Sequence, residues 1–561
     1  MNKLKLNRQL NSSGDIVNLF TTQNSAISLN DGDREFSIEM ENSHDIQAPF
    51  GMNQKTIVNI TNASHVVSDI MSSFILGTGE ITVELPQTFI NSMDVSGIVP
   101  SLDDYTQVPW ALFVGLKAAS HYVNRYELSC GERNTKCSHT EAIRESFLHT
   151  TYMANEKKNN AKYSYSLWKN VHTCDNSICG KLFYYHDFKN SNRVTKSFEF
   201  LIPYNDFLPL ASFDQFPSGL IGNLKLELFF DNYGFVYCQV DPKILAQNRH
   251  MLAGKLTQDL INAIPTVHTY THEFSQCGTS ANLIDSFTLW SGKIQTTAAK
   301  TELKLVSSRI TRLVSIQYGY KLKQHSIDRL TEWLKENTLV WPTQQTSFSA
   351  FPSGATSDGI STNSPQALWN VTDVSILCPQ FPEEYTVYRN INYQDLRLRI
   401  GNTNYPKFDI STIGPAFNKL QHIASKLDEF GESITDELED SLTRSRIDND
   451  TNDRVNMLSD ATSFVINFQT ERGGGGEFFD GLFSNGVNID IDFRGKPIYH
   501  DHTTNNDTYY FPNIDNLNFH PPAPRLALTS DCLFTWDIKN GLVFHHTEDL
   551  DPIIETHCMP K

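Results

Sequence analysis

Four cysteines and two histidines between residues 130 and 179 carry the side chains that a structural zinc ion requires. They are Cys130, Cys137, Cys174, Cys179, His139 and His172. Zinc sites usually take ligands from pairs that are closer in sequence, because both members of a pair must reach one tetrahedral ion. Here six residues separate the first two cysteines and four separate the last two. We therefore predict thiols in loops and no metal site.

Four histidines near the C-terminus form two further pairs of potential ligands. His545 and His546 are adjacent, and adjacent side chains on a strand point to opposite faces, so their two rings would not share one ion. His500 and His502 would share a face. Imidazole is a common metal ligand, but we interpret all four as surface or partly buried histidines at strand ends.

No other motif has all the residues that its chemistry requires. Asp448 and Asp450 resemble the start of a calcium loop, but Asp453 and Ser459 stand where an EF-hand needs Gly and Glu. Nucleophile-elbow and zinc-protease motifs are missing from the sequence. We therefore predict no catalytic residues, no cofactor-binding residues and no metal ligands, and a protein that is not an enzyme.

The size and composition of the chain fit two large β domains. All-β domains reach about 200–250 residues, and the chain has 561. Its 35 Phe and 21 Tyr supply the aromatic side chains that pleated surfaces favour. Charged residues make up 20%, which is typical of a folded chain and not of a disordered one.

The net charge of −18 argues against direct binding of nucleic acid. The chain has 46 basic and 64 acidic residues, whereas a duplex-binding surface needs clustered Lys and Arg. The N-terminus has no signal-peptide pattern, and no apolar run approaches the roughly 20 residues of a membrane-spanning helix. Nine scattered cysteines indicate free thiols in a reducing compartment.

Period-two alternation predicts two successive sets of strands. In the first set it is clear at 81–85, 122–128 and 224–230. The second set includes 310–316 and, as its most regular alternation, 489–493. Strands separated by long loops favour jelly rolls over a fold of alternating strands and helices.

The strand sets predict where the domains begin and end. We predict an N-terminal arm at 1–50, a first jelly roll at 51–262 and a second at 263–561. Two helices are expected inside the second jelly roll, a short one at 326–337 and a long one at about 415–446, because apolar residues recur there every three or four positions.

Several segments have the pattern of strands and loops that is typical of one known group of proteins. They are 120–128 and 202–210 in the first half, and 374–377, 384–391, 396–402, 464–468, 487–491 and the hairpin at 540–541 in the second. In these segments the chain resembles the double jelly-roll major capsid proteins of polinton-like viruses, adintoviruses and virophages. The likeness spans about residues 55–555 and lies in the pattern of strands and loops.

The resemblance implies an all-β fold of two tandem eight-stranded antiparallel jelly rolls with inserted helices and long loops. It implies a structural protein that forms a homotrimer with a pseudo-hexameric outline and tiles the icosahedral capsid of a DNA virus. Neighbouring capsomers, penton proteins and minor capsid proteins would be its partners, and an inner membrane a further contact. The expected location is the virion, after synthesis in the cytoplasm or nucleus of the host cell.

Two alternatives stay open. One is a β-sandwich carbohydrate-binding protein or hydrolase, in which Trp341 and Trp369 would form the binding platform and pairs of Asp or Glu the acid and the nucleophile. The other is a minor capsid or spike protein of the same sandwich class. Stable trimers that form arrays would favour the major capsid protein over both.

Overall fold

In the computed structural model of the chain, the described residues form mainly antiparallel strands, which are arranged in five sheets. No helix among the described residues is long and apolar enough to cross a membrane. The residues that the structure describes are 40–46, 50–51, 54–61, 67–92, 111–130, 136–151, 179–213, 215–240, 273–274, 280–283, 301–350, 360–364, 371–377, 385–386, 393–400, 403–405, 466–469, 489–495 and 525–546.

The described strands fall into two sets. The first set is β1 (Met40–Ile46), β2 (Phe50–Gly51), β3 (Lys55–Asn59), β4 (Val67–Glu84), β5 (Ala111–Leu116), β6 (Val123–Cys130), β7 (Lys136–His139), β8 (Gly180–Tyr184), β9 (Arg193–Pro203), β10 (Gln215–Phe216), β11 (Leu224–Phe230), β12 (Phe235–Val240), β13 (Glu273–Phe274), β14 (Ser280–Leu283) and β15 (Thr301–Tyr320). The second set is β16 (Leu339–Ala350), β17 (Ile360–Ser364), β18 (Val371–Leu377), β19 (Tyr393–Ile400), β20 (Thr403–Tyr405), β21 (Ile466–Gln469), β22 (Ile489–Gly495), β23 (Arg525–Asp537) and β24 (Gly541–His545).

Short helices connect several of these strands. The α-helices are α1 (Gln87–Ser92), α2 (Ala142–Thr151), α3 (Tyr185–Phe188), α4 (Ser218–Ile221) and α5 (Gln324–Glu336). The 3-10 helices are Ala119–Tyr122, Tyr204–Asp206, Leu208–Ser212 and Asn232–Gly234. The range of helix α5 agrees with the helix predicted at 326–337, but α5 lies between the two strand sets and not inside the second jelly roll, where it was expected.

The first strand set forms one jelly roll. One layer contains β1, β15, β4 and β9 in that order. The other layer has the order β3-β11-β6-β7 and continues as β13-β12-β5-β8. We count β5 with β6, β7 with β8, and β11 with β12 as single segments of the chain, and we leave out the short strands β2, β10, β13 and β14. Along the chain, segments one to eight are then β1, β3, β4, β5–β6, β7–β8, β9, β11–β12 and β15. The two layers have the segment orders 1-8-3-6 and 2-7-4-5, which is the strand order of a jelly roll.

The second strand set repeats this arrangement. Its layers have the orders β16-β23-β18-β21 and β17-β22-β19-β20. With β16 to β23 as segments one to eight, the orders are again 1-8-3-6 and 2-7-4-5. β24 pairs with β23 across a tight turn in which Gly541 has a φ of 74°. The predicted fold class, two tandem eight-stranded antiparallel jelly rolls with inserted helices, is therefore confirmed.

The eighth strand of the first jelly roll lies later in the chain than the sequence pattern predicts. The alternation at 310–316 was assigned to the second set, but β15 pairs with β4 from Lys304 opposite Glu84 to Tyr320 opposite Val67. That assignment is wrong, because the eighth strand of a jelly roll returns to lie between the first and third. Order along the chain does not reveal such a return. The first jelly roll therefore extends beyond its predicted limit at residue 262.

Other predicted boundaries have mixed outcomes. β1 lies inside the predicted arm at 1–50, yet it pairs with β15 along its whole length, so this part of the arm belongs to a sheet. The predicted junction at 262–263 and the predicted long helix at about 415–446 lie outside the described residues.

Two glycines of β4 make room for aromatic rings on the neighbouring strand. Gly77 lies opposite Phe200 and Gly79 opposite Phe198. A Cβ atom on Gly77 would lie 2.2 Å from the Phe200 ring, so only glycine fits there. Tyr122 completes the cluster, with its ring centroid 5.4 Å from that of Phe200 in an edge-to-face arrangement. The core of the first jelly roll thus depends on close steric fit across the sheet.

Candidate functional site at the junction of the two jelly rolls

One face of β16 and β23 packs against the first jelly roll, and we call this contact the junction. Trp341, Thr343 and Gln345 share this face of β16 because strand side chains alternate. Cys532 and Phe534 lie opposite Thr343 and Trp341 on β23. All five residues are buried. Thr343 and Gln345 have the polarity of a strand face that is exposed to water, but the first jelly roll covers this face.

Phe213 and Phe216 of the first jelly roll form the apolar part of the junction. The ring centroid of Phe213 lies 5.2 Å from that of Trp341 and 5.0 Å from that of Phe534. The Phe216 ring lies 5.6 Å from Trp341. Such aromatic pairs contribute about 0.5–1.5 kcal/mol each beyond the burial of their area. The hydrophobic core is therefore continuous from one jelly roll into the other.

Side chains of β16 also donate hydrogen bonds to the backbone of the first jelly roll. The Thr343 hydroxyl donates to the carbonyl oxygens of Pro209 at 3.1 Å and Leu208 at 3.3 Å. The Gln345 amide donates to the carbonyl oxygen of Ser138 at 3.5 Å. The Thr343 hydroxyl and the Gln345 amide nitrogen are thus buried with acceptors, which avoids the cost of an unpaired buried donor.

His139 lies where β7 of the first jelly roll meets β16 of the second. Its Nε2 atom lies 2.9 Å from Oε2 of Glu145 and 2.7 Å from the carbonyl oxygen of Thr346. The backbone N–H of Glu141 donates to Nδ1 at 3.2 Å. The ring stacks on Tyr126, whose hydroxyl donates to Oε1 of Glu145 at 2.6 Å. One imidazole thus contacts polar groups of both jelly rolls.

Burial and charge act in opposite directions on this pair. His139 is 5% exposed and Glu145 is 2% exposed. Burial acts to lower the pKa of His139, but the Glu145 carboxylate, the Thr346 carbonyl and Glu141 together raise that pKa above its usual 6.5. Burial acts to raise the pKa of Glu145, but His139, the Tyr126 hydroxyl and a backbone hydrogen bond from Thr346 together bring that pKa below 4.5. Because Nδ1 accepts the Glu141 N–H, the ring in this geometry carries its proton on Nε2 and donates it to the Thr346 carbonyl.

A second set of charges surrounds the same helix. Glu141 lies 3.3 Å from Arg144 and 3.5 Å from Arg525, which belongs to β23 of the second jelly roll. The guanidinium of the buried Arg144 lies 3.8 Å from the centroid of the Tyr385 ring, a cation–π contact. Tyr385 in turn stacks on Tyr233 at 5.1 Å. Charge and aromatic contacts thus link the two jelly rolls at several points.

The structure places three of the four cysteines among the zinc-ligand candidates inside the protein, as it does His139. Cys130, Cys137 and Cys179 are buried free thiols, and the first two lie on β6 and β7, so the prediction of loop positions is wrong for them. Burial raises the pKa of Cys130 to about 11 and also raises the pKa of Cys137 and Cys179. Within the described residues, no three potential ligands come together.

The remaining candidate residues either contact other residues in the structure or lie outside the described residues. His545 lies on β24 with Nε2 2.9 Å from the Thr535 hydroxyl, and His546 stacks on Phe544. Trp341 is 5% exposed and packs in the junction, so it does not form the platform that the carbohydrate-binding alternative requires. Outside the described residues lie Cys174, His172, His500, His502, Trp369, Asp448, Asp450, Asp453 and Ser459.

Sequence reasoning missed the polar centre of the junction. Charged side chains on a short helix such as α2 normally face water. Instead every residue of α2 from Ala142 to Leu148 is buried, including Arg144 and Glu145. No pattern in a single sequence marks such a helix, because its partners come from strands far away in the chain.

Comparisons with known proteins find likenesses only among solved structures. No protein-family model and no curated protein matches the chain. A chain of the Sputnik virophage structure is similar at 10% identity and a TM-score of 0.47, covering 92% of this chain and 89% of that one. The mavirus major capsid protein is similar at 8% identity and a TM-score of 0.41, covering 92% of each. The Faustovirus major capsid protein is similar at 7% identity and a TM-score of 0.40, and the match covers 95% of this chain and 98% of that one.

Proposed function

We propose that this chain is a viral major capsid protein that forms homotrimers with a pseudo-hexameric outline, and that these trimers tile an icosahedral shell. The observation that carries the proposal is the pair of jelly rolls with one strand order, joined in a single chain by a buried junction. Three such chains around a threefold axis supply six similar barrels. Six barrels in a ring give a unit that packs in a hexagonal array.

The junction supports this proposal because a tile must keep its shape. Domains in one chain usually move relative to each other unless their interface is large and hydrophobic. Here Phe213, Trp341 and Phe534 form a shared apolar core, and His139 and Thr343 add buried polar contacts. Two barrels held in one orientation present the same outer surface in every copy, which repeated lateral contacts require.

The proposed partners follow from the geometry of a closed shell. A sheet of six-sided units is flat, so closure requires a different unit, a penton protein, at the fivefold vertices. We propose neighbouring capsomers, penton proteins and minor capsid proteins as partners, an inner membrane as a further contact, and the virion as the location. The proposal assigns no catalytic, cofactor or nucleic-acid site to the chain, which carries a net charge of −18.

Mass measurement and microscopy of the purified full chain test the proposal. Size-exclusion chromatography with light scattering should give three times 63.7 kDa, about 191 kDa, and negative-stain images should show hexagonal outlines that form arrays on concentration. A monomer at every concentration would contradict the proposal. A monomer that binds glycans would support the carbohydrate-binding alternative, and one that attaches to purified capsomers would support a minor capsid or spike protein.

A further inference from the structure

The outer face of the sheet β1-β15-β4-β9 changes in polarity along its length. The strand register places the outward side chains of β15, β4 and β9 in rows across the sheet. At one end the rows are polar and include the ion pairs Arg309–Glu80 and Arg193–Glu84. At the other end two successive rows are wholly apolar, and we call their six residues the apolar end. They are Val314, Leu76 and Leu201 in one row, and Ile316, Phe74 and Pro203 in the next.

The strands at this end are apolar on both faces. In β4 the fully buried Ile75 lies between Phe74 and Leu76, and β9 has the same arrangement around the buried Ile202. Because strand side chains alternate and the two isoleucines face the core, their neighbours in the chain face outward. A strand with one solvated face alternates between apolar and polar residues, whereas a continuous apolar run is typical of a strand covered on both faces. We therefore expect a partner on the outer face.

The apolar end is partly open in the single chain. Phe74, Leu76, Leu201 and Ile316 are half-buried, so part of each side chain still reaches solvent. The ring of Phe74 lies 6.3 Å from the ring of Tyr318, which extends the apolar surface toward the end of β15. Scattered apolar residues are common on protein surfaces, but a contiguous apolar patch usually marks an interaction site.

The junction shows what the corresponding sheet of the second jelly roll binds. That sheet, β16-β23-β18-β21, contacts β7 of the first jelly roll through Gln345, which donates to the Ser138 carbonyl, and through Thr346, which accepts from His139. By strand order its counterpart in the first jelly roll is the sheet β1-β15-β4-β9. The junction is a heterologous contact, because it uses different surfaces of two similar domains, and such a contact can repeat from copy to copy.

We propose that the apolar end binds the second jelly roll of another copy of this chain, through the surface around β20. β20 is the fifth segment of its jelly roll, and β7, on which β16 packs, belongs to the fifth segment of the first. The contact between copies thus repeats the contact within the chain, and a ring closes when the last copy meets the first. The inference rests on the proposed function and identifies the surface that joins neighbouring copies of the trimer.

Leu201→Lys and Ser197→Lys in the full chain form a matched pair of variants. Both positions lie on the outer face of β9, Leu201 in the apolar end and the exposed Ser197 opposite Glu80. We expect Leu201→Lys to raise the concentration of half-assembly, measured by light scattering over a dilution series, about tenfold or more, because the contact buries an unpaired ammonium group. Ser197→Lys should change that concentration by no more than about twofold. Circular dichroism checks that both variants keep the β fold.

Photo-cross-linking identifies the partner without a charged variant. The photoreactive residue p-benzoylphenylalanine replaces Leu201, and isotope-labelled copies are mixed with unlabelled ones. Mass spectrometry should then find mixed-isotope products that join position 201 to peptides of the second jelly roll that contain 403–405. Products that join it to residues 1–39, to the first jelly roll of another copy, or only to its own copy would overturn the proposed partner.

The outcomes separate this inference from the proposed function. Wild-type trimers that persist unchanged in Leu201→Lys would overturn the inference and leave the proposed function standing, whereas a wild type that is monomeric at every concentration would overturn both. Binding of the wild type to anionic lipid vesicles that Leu201→Lys abolishes, with assembly unchanged, would make the apolar end a membrane contact and also overturn the inference. If Leu201→Lys does not fold, the cross-linked products decide.

Discussion

The core of the first jelly roll and the junction are both buried, but different interactions hold them together. In the core, Gly77 admits the ring of Phe200, and Tyr122 packs against that ring edge to face. At the junction, aromatic rings surround a buried polar pair, His139 and Glu145. Steric fit does not change with pH, whereas the attraction between two titratable groups does. The protein thus combines domains that are held by steric fit with a contact between them that also depends on buried polar groups.

The largest effect is expected from removing a core ring. Phe200→Ala should lower the free energy of unfolding by about 3–5 kcal/mol, because it deletes a buried aromatic side chain and leaves a cavity. Denaturant unfolding at one protein concentration measures the change. Phe229→Ala is the matched control, because Phe229 is only half-buried on an outer face, and it should cost about 1 kcal/mol. Equal costs would show that the core is not the main source of stability.

A smaller effect is expected from filling the space beside that ring. Gly77→Ala places a Cβ atom 2.2 Å from the Phe200 ring and should cost about 1–3 kcal/mol through overpacking. In a Phe200→Ala background the clash disappears, so the same substitution should cost much less. A double-mutant cycle measures this coupling. Additive effects would mean that the cost of Gly77→Ala does not arise from a clash with the Phe200 ring.

At the junction, loss of one hydrogen-bond donor should have a local effect. Thr343→Val removes the donor to the carbonyl oxygens of Leu208 and Pro209 and should cost about 0.5–1.5 kcal/mol. Hydrogen exchange of peptides covering 208–212 should become faster. Thr346→Val is the matched control on the same strand, because its hydroxyl bonds to Thr529 within the second jelly roll. If both variants affect 208–212 equally, the Thr343 contact is not specific to the junction.

The smallest effect is expected on the outer face of the first jelly roll. Arg309→Met removes an ion pair with Glu80 at 2.6 Å, in which the Arg309 side chain is 59% exposed. Such pairs contribute about 0–1 kcal/mol and are screened by salt. We expect thermal unfolding in low salt to shift slightly and the shift to vanish in high salt. A large shift that salt does not remove would show that this face resembles the junction more than a solvated surface.

The local elements of the fold could be predicted from sequence. Alternation at 224–230 and 489–493 marks β11 and β22, the spacing of apolar residues marks α5, and Asn540-Gly541 marks the β23–β24 hairpin. These signals are short-range, because side-chain alternation and turn chemistry act over a few residues. The two-jelly-roll architecture could be predicted from their sum.

The long-range pairings could not be predicted in the same way. β15 and β4 are distant in sequence, and no local property of 301–320 distinguishes a last strand of one domain from a first strand of the next. The junction is harder still, because Thr343 and Gln345 have the polarity of a solvent-facing strand although the neighbouring domain covers them. His139 attracted notice as a possible zinc ligand, and its actual partners, Glu145 and Thr346, follow only from the three-dimensional arrangement.

The late position of β15 has a consequence during translation. Residues 85–300 separate the end of β4 from the start of its partner strand. At about 5–20 residues per second, a ribosome needs roughly 10–45 s to reach β15 after completing β4. Through that interval β1 and one edge of β4 lack their hydrogen-bonding partner, and unpaired edges recruit strands from other molecules. Nascent chains crowded on one messenger RNA are therefore most prone to aggregate before Tyr320 leaves the ribosome.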